Sequence, residues 1–274
     1  MCLFCRAQTN ELKMITKEQC RVYLKSVQAG AIRQMFEVLK EIIHDGNLVF
    51  TPEGVRLATM DSAKCSLVYL RLRGEAFEEY QCATPTRVGM NMAATYKLVK
   101  SCGTHDTIIL YVKEDAPNEL GIHIENAEKN SRTDFSLKLL DVDGNDIKIP
   151  DIEFDSVVTL PSTMFLKVCR DMSNLSGSMT ITSSGKTLAL SCEGDFASQT
   201  TVIGETEDGL AMENACDDAI TGTYSLKYLS LFCRASSLCT TTTLFIKREH
   251  PLVLLYHVAG LGELKFLLTP LIDE

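Results

Sequence analysis

The chain has 274 residues, is 45% hydrophobic and 23% charged, and carries a formal net charge of −9. That balance describes one large or two ordinary globular domains, and excludes a disordered or fibrous chain. The most apolar stretch, Pro251–Leu268, is interrupted by His257, Gly260, Gly262, Glu263 and Lys265, and the N-terminus lacks a basic region followed by an apolar core, so neither a membrane span nor secretion is expected.

Eleven cysteines, an odd number, argue against a disulfide framework. Cys65, Cys82, Cys102, Cys169, Cys192 and Cys233 lie within apolar patterns, as reduced core cysteines of an intracellular protein do.

In chain order, residues 1–20 have no counterpart further on and read as a loose extension. Val22–Val27 reads as a strand leading into a helix over Ala29–Ile43. Its apolar face is Ile32, Met35, Phe36, Leu39 and Ile42, with Arg33 and Lys40 off that face and Glu37 between them. Leu48–Met60 alternates polar and apolar residues about a turn at Pro52–Gly54, the pattern of a hairpin. A second helix over Ala93–Ser101 carries Lys97 and Lys100. Gly144, Asn145, Pro150 and the acidic residues of Asp141–Asp151 predict an extended connector.

The plan then repeats. Ser156–Leu160 reads as a strand and Ser162–Asn174 as a helix, with Phe165, Cys169 and Met172 inward and Lys167 and Arg170 outward. Met179–Leu190 reads as a hairpin about Ser183–Gly185, and Ser225–Arg234 as a helix carrying Lys227 and Arg234. Gly54 and Gly185 are 131 positions apart, Lys97 and Lys227 130, and Leu137-Lys138 and Leu264-Lys265 127. These near-constant offsets point to an internal duplication. The expected division is an extension 1–20, a first domain 21–140, a connector 141–154 and a second domain 155–274.

Each of the four helices thus carries two basic residues three or seven positions apart, hence on one side at 3.6 residues per turn. One such pair is an ordinary solvated helix face. Four pairs in a chain that is acidic overall point to a surface that holds a polyanion.

No catalytic or metal motif stands out. Gly185-Lys186-Thr187 resembles the end of a phosphate-binding loop, but the required glycine five positions earlier is Thr180, and the segment reads as a hairpin. Cys2-x-x-Cys5 has no second ligand pair at zinc spacing. His44, His105, His123, His250 and His257 are scattered, with no recognised local partner arrangement. Neither a cofactor nor a metal is expected.

Taken together, Leu57–Val68 (LATMDSAKCSLV), Val88–Met92 running into Lys97–Lys100, Phe165–Met172 (FLKVCRDM), Tyr228–Phe232, Pro251–Tyr256 and Gly262–Pro270 resemble, in collinear order, the DNA sliding-clamp family. The resemblance is to the eukaryotic and viral proliferating cell nuclear antigen type and covers about residues 21–274. It implies an α+β fold of two similar clamp domains per chain, closed into a homotrimeric ring with helices lining the inside and antiparallel sheets outside. It implies a non-enzymatic processivity factor acting in DNA replication and repair, in the nucleus or at a viral replication site. Its implied partners are duplex DNA bound without sequence preference, DNA polymerase, the clamp loader and other proteins with clamp-binding peptide motifs, and no membrane.

The resemblance places Arg33, Lys40, Lys97, Lys100, Lys167, Arg170, Lys227 and Arg234 on the DNA-facing wall. It assigns a partner-peptide pocket to Met60, Lys64, Cys65, Leu67, Ile147, Ile149, Pro150, Pro251, Leu267, Thr269, Pro270 and Ile272. Leu267 replaces the tyrosine of many members and Thr269 a smaller residue, which puts motif preference in question. Subunit contact would join Ser131–Leu139 to Ala197–Ile203 through Ser131, Phe135, Leu139, Ala197 and Val202. The alternative within the fold is a subunit of a heterotrimeric checkpoint-type clamp. An enzyme using dispersed thiols or histidines, and a monomeric peptide-binding module, are the rivals from other classes.

Overall fold

The same run of elements occurs twice in the computed structural model, which describes residues 16–61, 63–143, 147, 152–207, 209–214 and 218–271. The first half comprises β1 (Cys20–Ser26), α1 (Ala29–Ile42), β2 (Asp45–Thr51), β3 (Gly54–Met60), β4 (Ser66–Arg73), β5 (Glu79–Cys82), β6 (Thr86–Asn91), α2 (Met92–Val99), β7 (Thr107–Lys113), β8 (Glu119–Asn126) and β9 (Ser131–Lys138). The second comprises β10 (Ser156–Pro161), α3 (Ser162–Ser173), β11 (Ser178–Ser184), β12 (Thr187–Glu193), β13 (Ser198–Gly204), β14 (Ala211–Asn214), β15 (Ile220–Ser225), α4 (Leu226–Phe232), β16 (Thr241–Ile246), β17 (Leu252–Val258) and β18 (Gly262–Leu268).

Local sequence explains these elements. In α1, Ile32, Met35, Phe36 and Leu39 recur at helical spacing and are buried, joined by Val38, while Ile42 is only partly covered. Asn91 caps α2, its side chain accepting a hydrogen bond from the Ala94 N–H at 2.8 Å. The β2–β3 turn closes on Gly54 at φ 142, where an added Cβ would lie 2.1 Å from the Leu72 carbonyl oxygen. The strands alternate as half-buried strands do: Leu188, Leu190 and Cys192 of β12 face in, and their neighbours do not.

The strands form three antiparallel sheets. A five-stranded sheet runs β5-β1-β7-β8-β9 and a four-stranded sheet β13-β12-β11-β15. A nine-stranded sheet runs β14-β10-β16-β17-β18-β4-β3-β2-β6, five strands of the second half joined to four of the first. The junction pairs β18 with β4, from Gly262 opposite Leu72 to Leu268 opposite Ser66. The helices form one layer, α1 packing on α2, α3 on α4, and α1 meeting α4 and the 3-10 turn Cys233–Ser237. Under that layer Phe232 of α4 stacks on Phe266 of β18 at 4.6 Å, with Tyr256 edge-on to Phe266.

Several expectations are corrected in detail. Thr16 to Cys20 are not loose: Lys17–Gln19 form a 3-10 turn, and Cys20 opens β1 opposite Lys113. The fourth helix ends at Phe232, which leaves Arg234 in the 3-10 turn. The duplication holds element by element, but not through the landmarks chosen from sequence. Because α2 begins at Met92 and α4 at Leu226, the counterpart of Lys97 is Leu231, and Lys227 matches Ala93. Likewise Thr51 opposite Gly54 matches Ser184 opposite Thr187, so Gly54 and Gly185 hold different turn positions. Turn residues and surface charges drift within a repeat because only the buried positions are tied to packing.

Candidate functional site

The basic residues of the four helices divide into two groups. Lys97, Lys100, Lys167, Arg170, Lys227 and Arg234 are exposed, while Arg33 and Lys40 on α1 are half-buried. The Lys40 ammonium lies 2.8 Å from Glu41 Oε1 and 4.5 Å from the centre of the Tyr96 ring. Glu41 Oε2 in turn receives Arg234 Nη1 at 3.3 Å, which ties α1 of the first half to the turn after α4. The hydrogen bond raises Lys40 above the ordinary lysine value and lowers Glu41 below the ordinary carboxylate value. On α1, then, the Lys40 charge is answered by Glu41 within the protein, whereas the Arg33 Nε is buried without a hydrogen-bond partner. Sequence placed Lys40 on the polar side but could not show that Tyr96 and Glu41 would enclose it.

A second feature lies on the nine-stranded sheet. Strand register sets Met60 opposite Leu67, Leu67 opposite Leu267, Leu267 opposite Val253 and Val253 opposite Phe245. Residues directly opposite share a face, and this one is the face turned away from Leu57, Val68, Phe266 and Leu254 in the core. Met60 is 46% exposed and Leu67 8%, so the row is open at one end.

The rim beside Met60 is firmly built. Asp61 Oδ1 accepts the Ser66 N–H at 2.7 Å, and Lys64 takes a left-handed backbone at φ 56. Thr269 donates its N–H and hydroxyl to the Cys65 carbonyl at 3.0 and 3.2 Å, and the Tyr228 hydroxyl donates to Asp61 Oδ2 at 2.5 Å. Burial works upward on Asp61, but bonds from Tyr228 and from the Ser66, Cys65 and Ala63 amides win and hold its carboxyl below the usual 3.8.

The described ends of the connector lie at opposite sides of this sheet. Leu140 donates its N–H to the Gly89 carbonyl on β6 at 2.8 Å, and a Cβ on Gly89 would lie 2.1 Å from the Leu140 oxygen. Phe154 packs on Phe245 of β16 at 5.1 Å. Ile147 is half-buried, and Pro251 and Pro270 are partly covered beside the row, while Thr269 is exposed. Ile149, Pro150 and Ile272 lie outside the described residues.

Two sheet edges are the third feature. No residue of β9 or β13 is buried, and neither strand has a partner on its outer side among the described residues. Ser131 and Val202 are exposed, whereas Phe135 and Leu139 pack in part against the core. Phe135 therefore packs in part against the core of its own chain. Ala197 lies one residue before β13. Sequence reading missed Phe196, which at 78% is the most exposed large apolar residue described, with Val202 next at 62%.

The family model "Proliferating cell nuclear antigen, N-terminal domain" matches residues 22–147, and "Proliferating cell nuclear antigen, C-terminal domain" matches 148–271. The chain belongs to the proliferating cell nuclear antigen family. It is 39% identical over 256 residues to "Probable DNA polymerase sliding clamp 1" of Paramecium bursaria Chlorella virus 1, covering 92% of this chain and 97% of that relative. A crystal structure of Proliferating Cellular Nuclear Antigen from Entamoeba histolytica matches with a TM-score of 0.85 at 27% identity, over 92% of this chain and all of that one.

The family is one of processivity factors, not enzymes. His44 Nδ1 lies 2.8 Å from Asp45 Oδ2, and His123 is enclosed by two carboxylates. Its ring nitrogens lie 2.5 Å from Asp134 Oδ1 and 2.8 Å from Glu125 Oε1, because Asp134 stands opposite it on β9 and Glu125 two residues on along β8. Gly185-Lys186-Thr187 is a hairpin turn, as expected, with Lys186 paired to Glu205 at 3.1 Å. Cys65 lies in the rim loop, unlike the buried Cys82, Cys102, Cys169, Cys192 and Cys233. Among the described residues no helix is long and apolar enough to cross a membrane.

Proposed function

We propose that this protein is a DNA sliding clamp that closes into a homotrimeric ring around duplex DNA and tethers DNA polymerase and other replication and repair proteins. The observation that carries the reading is the equivalence of its open and closed sheet edges. By element order β9 matches β18 and β13 matches β4. Within the chain β18 and β4 pair, joining five strands to four. Pairing β9 of one copy with β13 of the next repeats that junction with the remaining five and four strands. Such a head-to-tail contact, repeated, gives a ring when its rotation closes.

Charge favours this pairing over β13 with itself. The β13 strand holds no charge and is flanked by Glu193, Asp195, Glu205 and Glu207, while β9 carries Arg132, Asp134 and Lys138 and is net positive. An uncharged open edge with an exposed Val202 is otherwise a site of aggregation.

The single helix layer then supplies the wall that faces DNA, with Lys97, Lys100, Lys167, Arg170, Lys227 and Arg234 as its exposed cations. Contacts from Lys and Arg to phosphates are indifferent to sequence and exchange with counterions, so they allow sliding. Contacts to base edges would halt it. Retention comes from the closed ring, and individual contacts stay weak. On the outer face the row Met60–Leu67–Leu267–Val253 forms the floor of a groove for a short apolar helical turn of a partner, with Lys64, Cys65, Ile147, Pro251, Thr269 and Pro270 around it. Such a clamp works where DNA is replicated, in the nucleus or at a viral replication site.

The test combines mass and DNA binding. Sedimentation should give a species of about three times 30.4 kDa across a concentration series. Replacing Lys97, Lys100, Lys167 and Arg170 with Glu should leave that mass unchanged and abolish clamp-dependent synthesis on primed circular DNA. A persistent 30.4 kDa species would point instead to a heterotrimeric clamp subunit, and unchanged synthesis would remove the helix layer from the DNA.

A further inference from the structure

The first helices of the two domains occupy equivalent places but differ in charge. Aligning α1 with α3 from their first residues sets Glu37 at the position of Arg170 and Gln34 at that of Lys167. Along α1 the charged residues are Arg33, Glu37, Lys40 and Glu41, which cancel. On α2 and its C-cap stand Lys97 and Lys100 with no acid, and on α4 and the following turn Lys227 and Arg234 with none.

Glu41 is central to this difference. Its two carboxylate oxygens take different cations, Oε1 receiving Lys40 at 2.8 Å and Oε2 receiving Arg234 at 3.3 Å. Lys40 is further held over the Tyr96 ring. One acid on the helix layer thus holds one cation from each domain, at the point where the domains meet. Lys97, Lys100, Lys167, Arg170 and Lys227 have no ion-pair partner of this kind among the described residues.

We propose that Glu41 is a built-in counter-charge of the DNA-facing wall, a positioning residue that holds Lys40 and Arg234 to itself so that phosphates are gripped chiefly through α2, α3 and Lys227. This rests on the sliding-clamp reading above. A cation already paired to a protein carboxylate displaces fewer counterions from DNA, so it adds less affinity and less salt dependence than a free one. The consequence is a softened patch at each domain boundary inside the ring, which lowers the barrier to sliding past it.

The experiment is a salt titration of binding to a labelled 30-base-pair duplex, using the full chain in its assembled form. Glu41→Gln keeps the shape and removes the charge. It should tighten binding and steepen the slope of log K against log salt by about 0.9 for each freed cation that reaches a phosphate. Glu41→Asp keeps the charge with a shorter reach and should retain the slope of the unaltered protein. Lys40→Gln should flatten the slope less than Lys97→Gln does. An unchanged or flatter slope in Glu41→Gln, or a Glu41→Asp variant as steep as Glu41→Gln, overturns the role of Glu41. If the unaltered protein shows no salt-dependent binding, the sliding-clamp reading falls, and this inference with it.

Discussion

Strands β18 and β4 correspond by element order to β9 and β13, yet the first two pair with each other and the last two end their sheets as open edges. In β4, Ser66, Leu67, Val68, Leu70 and Leu72 are buried, and in β18, Leu264, Phe266 and Leu268 are. Their counterparts β13 and β9 have no buried residue. The closed junction is fixed from both faces. Phe232 stacks on Phe266 beneath the helix layer, and Thr269 bonds to Cys65 at the rim. The Tyr228–Asp61 bond and the Glu41 bridge add ties between the domains. The open edges have no such support, only Phe135, Leu137 and Leu139 turned inward and Phe196 and Val202 left bare. The fold thus closes one junction within the chain and leaves the equivalent strands β9 and β13 as open edges among the described residues.

The comparison breaks most severely at Phe266. Phe266→Ala removes a fully buried ring from the closed junction and should cost about 3–5 kcal/mol in denaturant unfolding. A cost below about 1 kcal/mol would mean that the junction does not hold the domains together. Val202→Asp acts on the open edge alone. It should reduce the assembled mass to 30.4 kDa while leaving the unfolding midpoint of the monomer unchanged, since Val202 is 62% exposed. An assembly that survives this change would move the subunit contact elsewhere.

Asp61→Asn sharpens the comparison at its mildest point. It should cost about 1 kcal/mol at neutral pH through the weakened bond from Tyr228. Asp61 titrates below the ordinary 3.8, so its contribution is present above that value and is lost as pH falls through the lower native one. The stability difference between variant and parent should therefore vanish only below about pH 3.8. A difference already gone at pH 5 would show that Asp61 is not held ionised by these bonds.

Much of this was legible in the sequence because periodicity reports burial. The helix beginning at Ala29, the hairpin about Pro52–Gly54 and the helix beginning at Ser162 all stand where apolar spacing placed them. The outward position of Lys97, Lys100, Lys167 and Arg170 follows from the same spacing. Less legible was what long polar side chains do once helices from different parts of the chain meet. Nothing in the neighbourhood of Arg234 announces Glu41, some two hundred residues earlier, and nothing near Lys40 announces Tyr96 on another helix. Phe196 went unremarked because a single aromatic between Asp195 and Ala197 has no periodic context.

The sequence by itself determined the family, the duplicated α+β plan and the presence of basic helices in an acidic chain, since each depends on local residue order and on which positions are apolar. Tertiary structure alone decided which cations stay free, which sheet edges stay open and which apolar residues line up across four strands as the outer row. Those outcomes are set by contacts between residues far apart in the chain, and local periodicity carries no information about them.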